Sequence, residues 1–563
     1  MNQLNDFKFW SSLKSKESTL LKEVRDNINS NINVQAGTTI DRKGFGPHKM
    51  NRYTISRLIM CAIRTYVRAE TSNKIIYGYA FNSSSIVEAV TDTIKRSYCN
   101  LFHHIIPSYV SKSMFSYIMK EEKRKDNGYA FGVYVASLYD NRIAITIFDS
   151  DGNESMIDLE PCYRNSSECD ILTRKSTLTE YNNIYLNYGS RINFSYASDT
   201  VVGVRNIFDS TKKIKFGSVK EDIKVGILAS SGTIGAIFTR MLFMSGFRNI
   251  IIHPSAITYT NTYEPQIDPS ITPDKKTLEF FGNDIDVIFI INEDGTRLSM
   301  LVPCYRGNKK ILIHFNGQNM AYMVSMLYLT MTDITDRTTI VKSRTTTDCI
   351  KHLCDRYGSN TTCIDKGRES SRLRLFDKSI YISDTEEFNI FSASDVPDAI
   401  STALFILCTI GFFKDKKTLI GEMYDRHMAK NIFSVSFVKI VECPDGFSNY
   451  DFTSFIDKPI IFHNKREMVG AKYYIKDFAT DDVSKYVSRD TSIVLDFDRK
   501  NKRIRICANI LVFPDSSKYF SLERYANMRI SNTTRSVKFK DLSTLTKAIE
   551  IVQNTVLQIA DML

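Results

Sequence analysis

Short apolar runs alternate with helix-periodic segments along most of this 563-residue chain, and the alternation limits the fold more than any single motif does. Lys74–Tyr79 and Phe102–Ile106 read as strands, with a helix at Ser84–Arg96 between them. The same order returns at Lys224–Ala229 and Ile234–Met244. Strands joined through helices favour an α/β fold, with helices packed on the faces of a sheet. The sequence therefore predicts several α/β units in succession.

The end of the chain follows another pattern. Ser492–Phe497 and Ile504–Phe513 flank a short basic turn, which is typical of an antiparallel hairpin, and Leu542–Ala560 predicts a final helix. We therefore predict three similar mixed-sheet α/β domains followed by a C-terminal α+β domain. Their predicted bounds are residues 1–195, 196–313, 314–430 and 431–563.

The acidic loop, defined here as Asn292–Arg297, follows the apolar strand Val287–Ile291. Carboxylates at a strand end are a common way to hold Mg²⁺, which prefers hard oxygen ligands. Glu293 and Asp294 supply two such groups, but Thr296 stands where a third would be wanted. The sequence predicts an incomplete, empty metal site at Glu293 and Asp294, and hence no cofactor.

Three other segments contain groups that could take part in chemistry. Glu386 and Glu387 form a carboxylate pair that could accept hydrogen bonds from sugar hydroxyls, although an exposed acidic turn is the commoner reading. Ser137 ends the strand Gly132–Ala136, but a nucleophilic serine needs a base or a metal, and Leu138 supplies neither. Gly37–Arg42 predicts a glycine-rich loop that could cradle phosphate or be only a turn.

In this order, the segments resemble the α-D-phosphohexomutase superfamily, most of all its phosphoglucomutase-2, phosphopentomutase and glucose-1,6-bisphosphate synthase branch. The family's opening Gly-Thr-x-Gly-x-Arg is similar to Gly37–Arg42, and its Gly-Asn-Glu-Leu-Gly helix start is similar to Gly317–Met323. Its sugar-binding glutamates correspond to Glu386 and Glu387, and its Tyr-Gly-Tyr-His segment to Tyr424–His427. The resemblance implies the family fold and phosphoryl transfer between sugar hydroxyls through a phosphoserine and Mg²⁺.

The chain departs from the family at the chemical parts. Ser137 matches the serine nucleophile only with a one-residue gap, and Leu138 then replaces the family's histidine. The metal loop Asp-x-Asp-x-Asp-Arg resembles Glu293–Arg297, which is one residue and one carboxylate short. The last domain's phosphate loop falls on the apolar segment Arg505–Leu511. We therefore interpret Ser137 and Arg297 as vestigial catalytic residues, and Glu386 and Glu387 as a remnant of a substrate site.

Two functions follow from this interpretation. The first is a catalytically inactive phosphoglucomutase-like protein, reused as a structural or interaction scaffold for an unknown protein partner. The alternative is a divergent Mg²⁺-dependent phosphosugar mutase or glucose-1,6-bisphosphate synthase, which would bind a phosphosugar. The net charge of +11 would suit nucleic acid, but the charges alternate in sign along most of the chain, so a nucleic-acid partner is not expected.

The sequence also suggests where the protein works. Ala399–Phe413, the longest apolar run, is too short to span a bilayer and predicts a buried helix, and the first residues lack an apolar leader. These features predict a soluble, cytoplasmic protein. A composition heavy in Asn, Ile, Lys and Tyr indicates an A/T-rich genome. A large cytoplasmic DNA virus such as a poxvirus would fit, and would place the protein in infected cytoplasm or in the virion.

Overall fold

The fold is described from a computed structural model. It describes residues 32, 34, 36–44, 49–67, 72–80, 83–98, 101–138, 142–165, 184–185, 189–209, 218–230, 232–256, 267–282, 284–306, 309–332, 338–343, 346–347, 349–364, 379–390, 396–415, 418–428, 433–442, 472–475, 482–487, 491–498 and 503–512.

The first unit is a mixed sheet with helices packed on it. Its elements are β1 Thr38–Lys43, β2 Lys49–Met50, α1 Arg52–Tyr66, β3 Lys74–Tyr79, α2 Ser84–Ser97, β4 Phe102–Ile105, α3 Lys112–Arg124, β5 Phe131–Ser137, β6 Arg142–Phe148, α4 Glu160–Asn165 and β7 Ile184–Tyr185. The strand order is β2-β1-β6-β5-β3-β4-β7. β3 runs parallel to β4 and β5, whereas β6 is antiparallel to β5 and β1.

Helix α3 lies close to this sheet because two glycines face it. A Cβ atom on Gly78 would lie 2.3 Å from the Phe115 ring, and one on Gly132 would lie 2.4 Å from Met119 Sδ. These positions, on the neighbouring strands β3 and β5, admit only glycine without repacking. The close packing holds α3, which begins at Lys112, against the sheet.

The second unit is again a mixed sheet. Its elements are α5 Gly189–Asp209, the 3₁₀ turns Ser218–Asp222 and Pro254–Ala256, β8 Val225–Ala229, α6 Gly232–Met244, β9 Ile250–Ile252, α7 Lys275–Phe280, β10 Val287–Ile291, β11 Leu298–Arg306 and β12 Lys309–Phe315. The strand order is β12-β11-β10-β8-β9. β8 is parallel to β9 and β10, and the acidic loop reverses the chain from β10 into antiparallel β11.

The third unit supplies the longest buried helix. Its elements are α8 Gly317–Met331, β13 Thr339–Ser343, α9 Cys349–Tyr357, β14 Asn360–Ile364, β15 Ser379–Ile382, β16 Phe388–Asn389, α10 Ala399–Asp415 and α11 Ile420–Met428. The strand order is β14-β13-β15-β16. The prediction of a buried helix at Ala399–Phe413 is confirmed by α10, in which Ala399 to Ile410 are buried. Among the described helices, none is both long and apolar enough to cross a membrane.

The last unit is a purely antiparallel sheet. Its strands are β17 Phe433–Glu442, β18 Lys472–Ile475, β19 Asp482–Val487, β20 Thr491–Asp498 and β21 Arg503–Val512. The order is β17-β21-β20-β19-β18. The predicted hairpin is confirmed as β20 paired with β21, and β17 adds a second partner on the other side of β21.

The first three units share one hydrophobic core, which runs from Ile76 in β3 through Phe289 in β10 to Tyr424 in α11. The α/β class with mixed sheets is thereby confirmed. The shared core also brings the ends of elements from different units to common junctions. The acidic loop lies at one of them.

Some predictions need correction, and others concern residues that the structure does not describe. The predicted loop at Gly37–Arg42 is instead the start of strand β1, because β-branched Thr38, Thr39 and Ile40 favour a pleated strand. The predicted boundaries after residues 195 and 313 fall inside α5 and β12. The predicted helix at Leu542–Ala560 lies outside the described residues.

Candidate functional site

The acidic loop joins three units through its backbone. The Asp294 carbonyl accepts a 3.0 Å hydrogen bond from the Lys112 amide, and the Gly295 carbonyl accepts one of 2.9 Å from the Ala399 amide. Lys112 begins α3 and Ala399 begins α10. The first amides of a helix have no partner within the helix. The loop therefore satisfies donors at the starts of two helices from neighbouring units.

Gly295 has no room for a side chain. Its φ is +74°, a region that residues with a Cβ atom rarely adopt. An added Cβ would lie 3.0 Å from Ile234 Cδ1 and 3.1 Å from Ser111 Cβ. The loop thus reaches both helix starts only because glycine occupies this position.

The Asp294 carboxylate is directed into its own loop. Its Oδ1 accepts hydrogen bonds from Asn292 Nδ2 at 2.7 Å, from the Thr296 amide at 3.0 Å and from Thr296 Oγ1 at 2.6 Å. Thr296, which stands where a third acid was sought, therefore acts as a donor to Asp294. Each of these donors occupies acceptor capacity on Asp294 Oδ1.

Glu293 is buried, with 9% of its surface exposed. Burial and the neighbouring Asp294 carboxylate raise the pKa of Glu293 to about 8, against an ordinary value of 4.5. At neutral pH the carboxyl group is therefore mostly protonated. A protonated carboxyl is a poor cation ligand.

Arg297 links the second unit to the third. Its Nη2 lies 2.7 Å from Glu386 Oε2 and 3.0 Å from Asp268 Oδ1, and its Nε donates to the Thr385 carbonyl at 3.0 Å. The other Glu386 oxygen, Oε1, accepts from the Gly317 amide at 2.7 Å. Both oxygens of Glu386 therefore have partners within the protein.

The Glu386 backbone is unusual for a residue other than glycine. Its φ is +64°, and the side chain is 3% exposed. Such conformations persist only where the surroundings hold them, and they are frequent at functional sites. Here the Glu386 carbonyl accepts from the Leu298 amide at 2.8 Å, and an isolated antiparallel bridge joins Arg297 to Glu387. Glu387 itself is half-buried, and its Oε2 accepts from Thr385 Oγ1 at 3.3 Å.

Ser137 stands at the end of β5, half-buried. Its amide donates to Ser83 Oγ at 2.8 Å, and the Ser83 hydroxyl lies 3.3 Å from Ser137 Oγ. Ser83 precedes α2, so this contact ties the strand end to a helix start. Leu138 packs against the hydrophobic core. A neighbouring serine hydroxyl is too weakly basic to activate a nucleophile.

A buried lysine beside the acidic loop was not anticipated from the sequence. Lys112 Nζ lies 2.5 Å from Glu154 Oε1 and 3.1 Å from Thr38 Oγ1. The lysine and Glu154 are 42 positions apart in the printed sequence, and neither belongs to a recognisable motif. Only the folded sheet brings β1, α3 and the segment after β6 together.

The residues of the acidic loop do not fit Mg²⁺. This ion requires near-octahedral oxygen ligands. Asp294 Oδ1 is engaged by three donors, Thr296 stands in place of a third carboxylate, and a lysine ammonium lies close by. In the described part of the chain, no group of three or more His, Cys, Asp or Glu side chains is arranged to hold a metal.

Three solved structures share the architecture over most of their length. A phosphoglucomutase/phosphomannomutase family protein of Burkholderia thailandensis has a TM-score of 0.58 at 12% identity, covering 94% of this chain and 97% of its own. The provisionally named phosphomannomutase of Thermus thermophilus has a TM-score of 0.58 at 11% identity, covering 89% and 99%. The open form of the Paramecium phosphoglucomutase parafusin, an exocytosis-sensitive phosphoprotein, has a TM-score of 0.56 at 10% identity, covering 86% and 90%.

These structures show the fold. No protein-family model matches the sequence, and no curated protein does so either. The chain nevertheless has the fold of these phosphoglucomutase and phosphomannomutase structures along most of its length, which agrees with the fold that the resemblance implied. At 10 to 12% identity the likeness does not extend to activity.

Proposed function

We propose that this protein is a phosphoglucomutase-like pseudoenzyme that serves as a structural or protein-interaction scaffold. One observation carries the proposal: the carboxylates that the resemblance assigns to metal and sugar are used inside the protein. Asp294 accepts from Asn292 and Thr296, and Glu386 from Arg297 and Gly317. To bind a ligand through the same oxygens, Asp294 would have to give up contacts within its own loop, and Glu386 would have to give up contacts that hold two units together.

The electrostatics of phosphoryl transfer explain why carboxylates that are engaged within the protein matter. The reaction depends on positioning and on neutralising the charge of the transferred group. Removing a single preorganised donor or a metal ion typically costs orders of magnitude in rate. The serine of this chain has a hydroxyl neighbour, and its metal loop has an engaged aspartate.

The last unit supports the same proposal. The segment that the resemblance aligns with a phosphate loop, Arg505–Leu511, lies within β21. β21 is paired with β17 on one side and β20 on the other. Backbone amides in a strand paired on both sides are committed to the ladders, so they are not available to cradle a phosphate.

A mutase assay tests the proposal. Purified full-length protein is incubated with glucose-1-phosphate, glucose-1,6-bisphosphate and Mg²⁺, alongside a Ser137→Ala variant. We expect no glucose-6-phosphate formation above the level of the variant. Turnover that the Ser137→Ala change abolishes would overturn the proposal.

One observation favours the alternative, a divergent Mg²⁺-dependent mutase or glucose-1,6-bisphosphate synthase. The positive φ of Glu386 costs conformational free energy, and a role in substrate binding would explain why the residue keeps this conformation. This function requires that Mg²⁺ bind with Asp294 as a ligand. Calorimetric Mg²⁺ binding that an Asp294→Asn variant loses would meet this requirement of the alternative.

The scaffold function requires a protein partner, acting in infected cytoplasm or in the virion if the gene is viral. Affinity capture with the full-length chain, followed by identification of the bound protein, is the direct search for it. A nucleic-acid partner would instead give binding that falls steeply with added salt.

A further inference from the structure

Lys112 is a buried cation in an unfavourable place for its own helix. It is the first residue of α3, and the amino-terminal end of a helix repels positive charge. Burying an ammonium also costs free energy unless a carboxylate pairs with it. The lysine is only 9% exposed. Its position is therefore explained by the groups around its ammonium rather than by helix stability.

Those groups come from all three α/β units. Glu154 in the first unit pairs directly with Nζ at 2.5 Å. Burial alone lowers the pKa of Lys112, but the carboxylates of Glu154, Asp294 and Glu387 outweigh it, and the pKa lies above its ordinary value. Asp294 belongs to the second unit and Glu387 to the third. One ammonium thus balances acidic groups at the junction of three units.

The backbone adds positive potential at the same place. The amides of Lys112 and Ala399 point at the carbonyls of Asp294 and Gly295. Two helix amino-terminal ends, each carrying partial positive charge, therefore meet the acidic loop. Lys112 and these two helix ends together place positive charge beside the carboxylates without an external cation.

We propose that Lys112 supplies, as a fixed part of the chain, the positive charge that would otherwise have to come from a divalent cation at this three-unit junction. The junction then stays closed in the absence of metal. The inference goes beyond the proposed function, since an inactive protein could still bind Mg²⁺ at its acidic loop. It also makes a distinctive prediction: removing the ammonium leaves a surplus of carboxylate at the junction, which a divalent ion can neutralise.

The experiment follows thermal unfolding of the full-length protein in excess EDTA, and then in excess Mg²⁺ or Mn²⁺ at matched ionic strength. For the wild type we expect the same midpoint in all three. For Lys112→Met we expect a midpoint about 5 °C lower in EDTA, because breaking a buried pair leaves its carboxylates uncompensated. We expect Mn²⁺ or Mg²⁺ to restore part of this loss in a saturable way.

Two further variants make the result specific. Lys123→Met removes an exposed lysine of the same helix, whose partner is Asp151, and should change neither the midpoint nor the metal response. Lys112→Met combined with Glu154→Gln removes the ammonium together with its partner, so its midpoint should lie above that of Lys112→Met and its metal response should be smaller. This double variant also provides a readout if Lys112→Met alone does not fold.

Three outcomes would overturn the proposal. A wild-type midpoint that rises with Mg²⁺ would mean that the cation at the junction is a metal. A Lys112→Met variant whose unfolding equals that of wild type would mean that Lys112 balances no charge there; if Lys112→Met does not fold, a double variant that also fails to fold would mean that packing rather than charge is lost. An inactive protein whose midpoint rises with Mg²⁺ would overturn this inference and leave the proposed function standing, so the two failures are distinguishable.

Discussion

Arg297 Nη2 lies 2.7 Å from Glu386 Oε2, and this ion pair connects the strand end of the second unit to the glutamate loop of the third. Asp268 lies on the same guanidinium at 3.0 Å. Because one arginine contacts two carboxylates and a backbone carbonyl, it holds together the segments that carry them, and we call this set of contacts a structural joint. The family resemblance assigned Arg297 a vestigial catalytic role. Its contacts explain its presence without that role.

Replacing Arg297 tests this joint. We expect Arg297→Ala to lower the free energy of unfolding by about 3–5 kcal/mol, because Glu386 and Asp268 would keep buried charges without a partner. Urea unfolding followed by circular dichroism measures the change. Arg124→Ala is the matched control, since Arg124 pairs with Glu121 on the surface and should change stability by less than about 0.5 kcal/mol. A loss for Arg297→Ala no larger than that of the control would contradict a structural joint.

Gly295 should be far less tolerant of alanine than another glycine of similar backbone. Gly282 has a φ of +73°, close to the +74° of Gly295, but nothing lies within 4 Å of an added Cβ there. Gly282→Ala should therefore cost about 1 kcal/mol from backbone strain alone. Gly295→Ala should cost about 1–3 kcal/mol more, because the new methyl group crowds Ile234 and Ser111. Equal unfolding free energies for the two variants would argue against close packing of the acidic loop.

Glu293 should make stability fall as the pH rises. Its pKa is 4.5 in the ordinary state and about 8 in the folded protein, so its stabilising effect is complete below pH 4.5 and is lost up to about pH 8. Glu293→Gln cannot ionise and should gain about 1–3 kcal/mol relative to wild type at pH 8 in EDTA. Glu279→Gln, an exposed substitution, should show no such gain. Destabilisation of Glu293→Gln at pH 8 would show that the ionised carboxylate is needed.

His427 should make stability fall on acidification. Its ring lies between the hydroxyls of Tyr322 at 3.3 Å and Tyr357 at 3.4 Å, and burial together with the nearby Arg356 lowers its pKa from 6.5 to about 4. The neutral ring is favoured in the folded state, so stability is complete above pH 6.5 and is lost as the pH falls towards 4. His427→Gln should flatten this dependence by about 1–3 kcal/mol. A pH series of urea midpoints measures it, with exposed His352→Gln as the control. An unchanged slope would contradict the burial of a neutral ring.

The sequence was sufficient for most of the α/β elements, since local periodicity determines them. Val287–Ile291 and Lys74–Tyr79 were predicted with the bounds that the structure gives. Gly37–Arg42 was predicted as a loop because the glycine indicated a turn. The β-branched residues that follow it favour a strand instead. In the folded sheet, Thr38 pairs with Thr146 across β1 and β6.

The candidate site was predictable in its members but not in their partners. Arg297 contacts Glu386 and forms a bridge with Glu387, and Asp294 lies three positions before Arg297 in the acidic loop. Lys112 was missed because its role depends on Glu154 and on the packing of α3, neither of which leaves a local pattern. The sequence also could not predict that the Asp294 carboxylate points into its own loop. A Thr two positions later can donate to the carboxylate or face away from it.

The proposal that this protein does not transfer phosphoryl groups is tested most directly by looking for phosphate on the protein. Full-length protein is incubated with glucose-1,6-bisphosphate and Mg²⁺, and intact-mass spectrometry with peptide mapping then looks for phosphate on Ser137. A pseudoenzyme with Asp294 and Glu386 engaged internally should keep its unmodified mass. A phosphoryl group on Ser137 that is lost when glucose-1-phosphate is added would contradict it, because the serine would then be a working carrier.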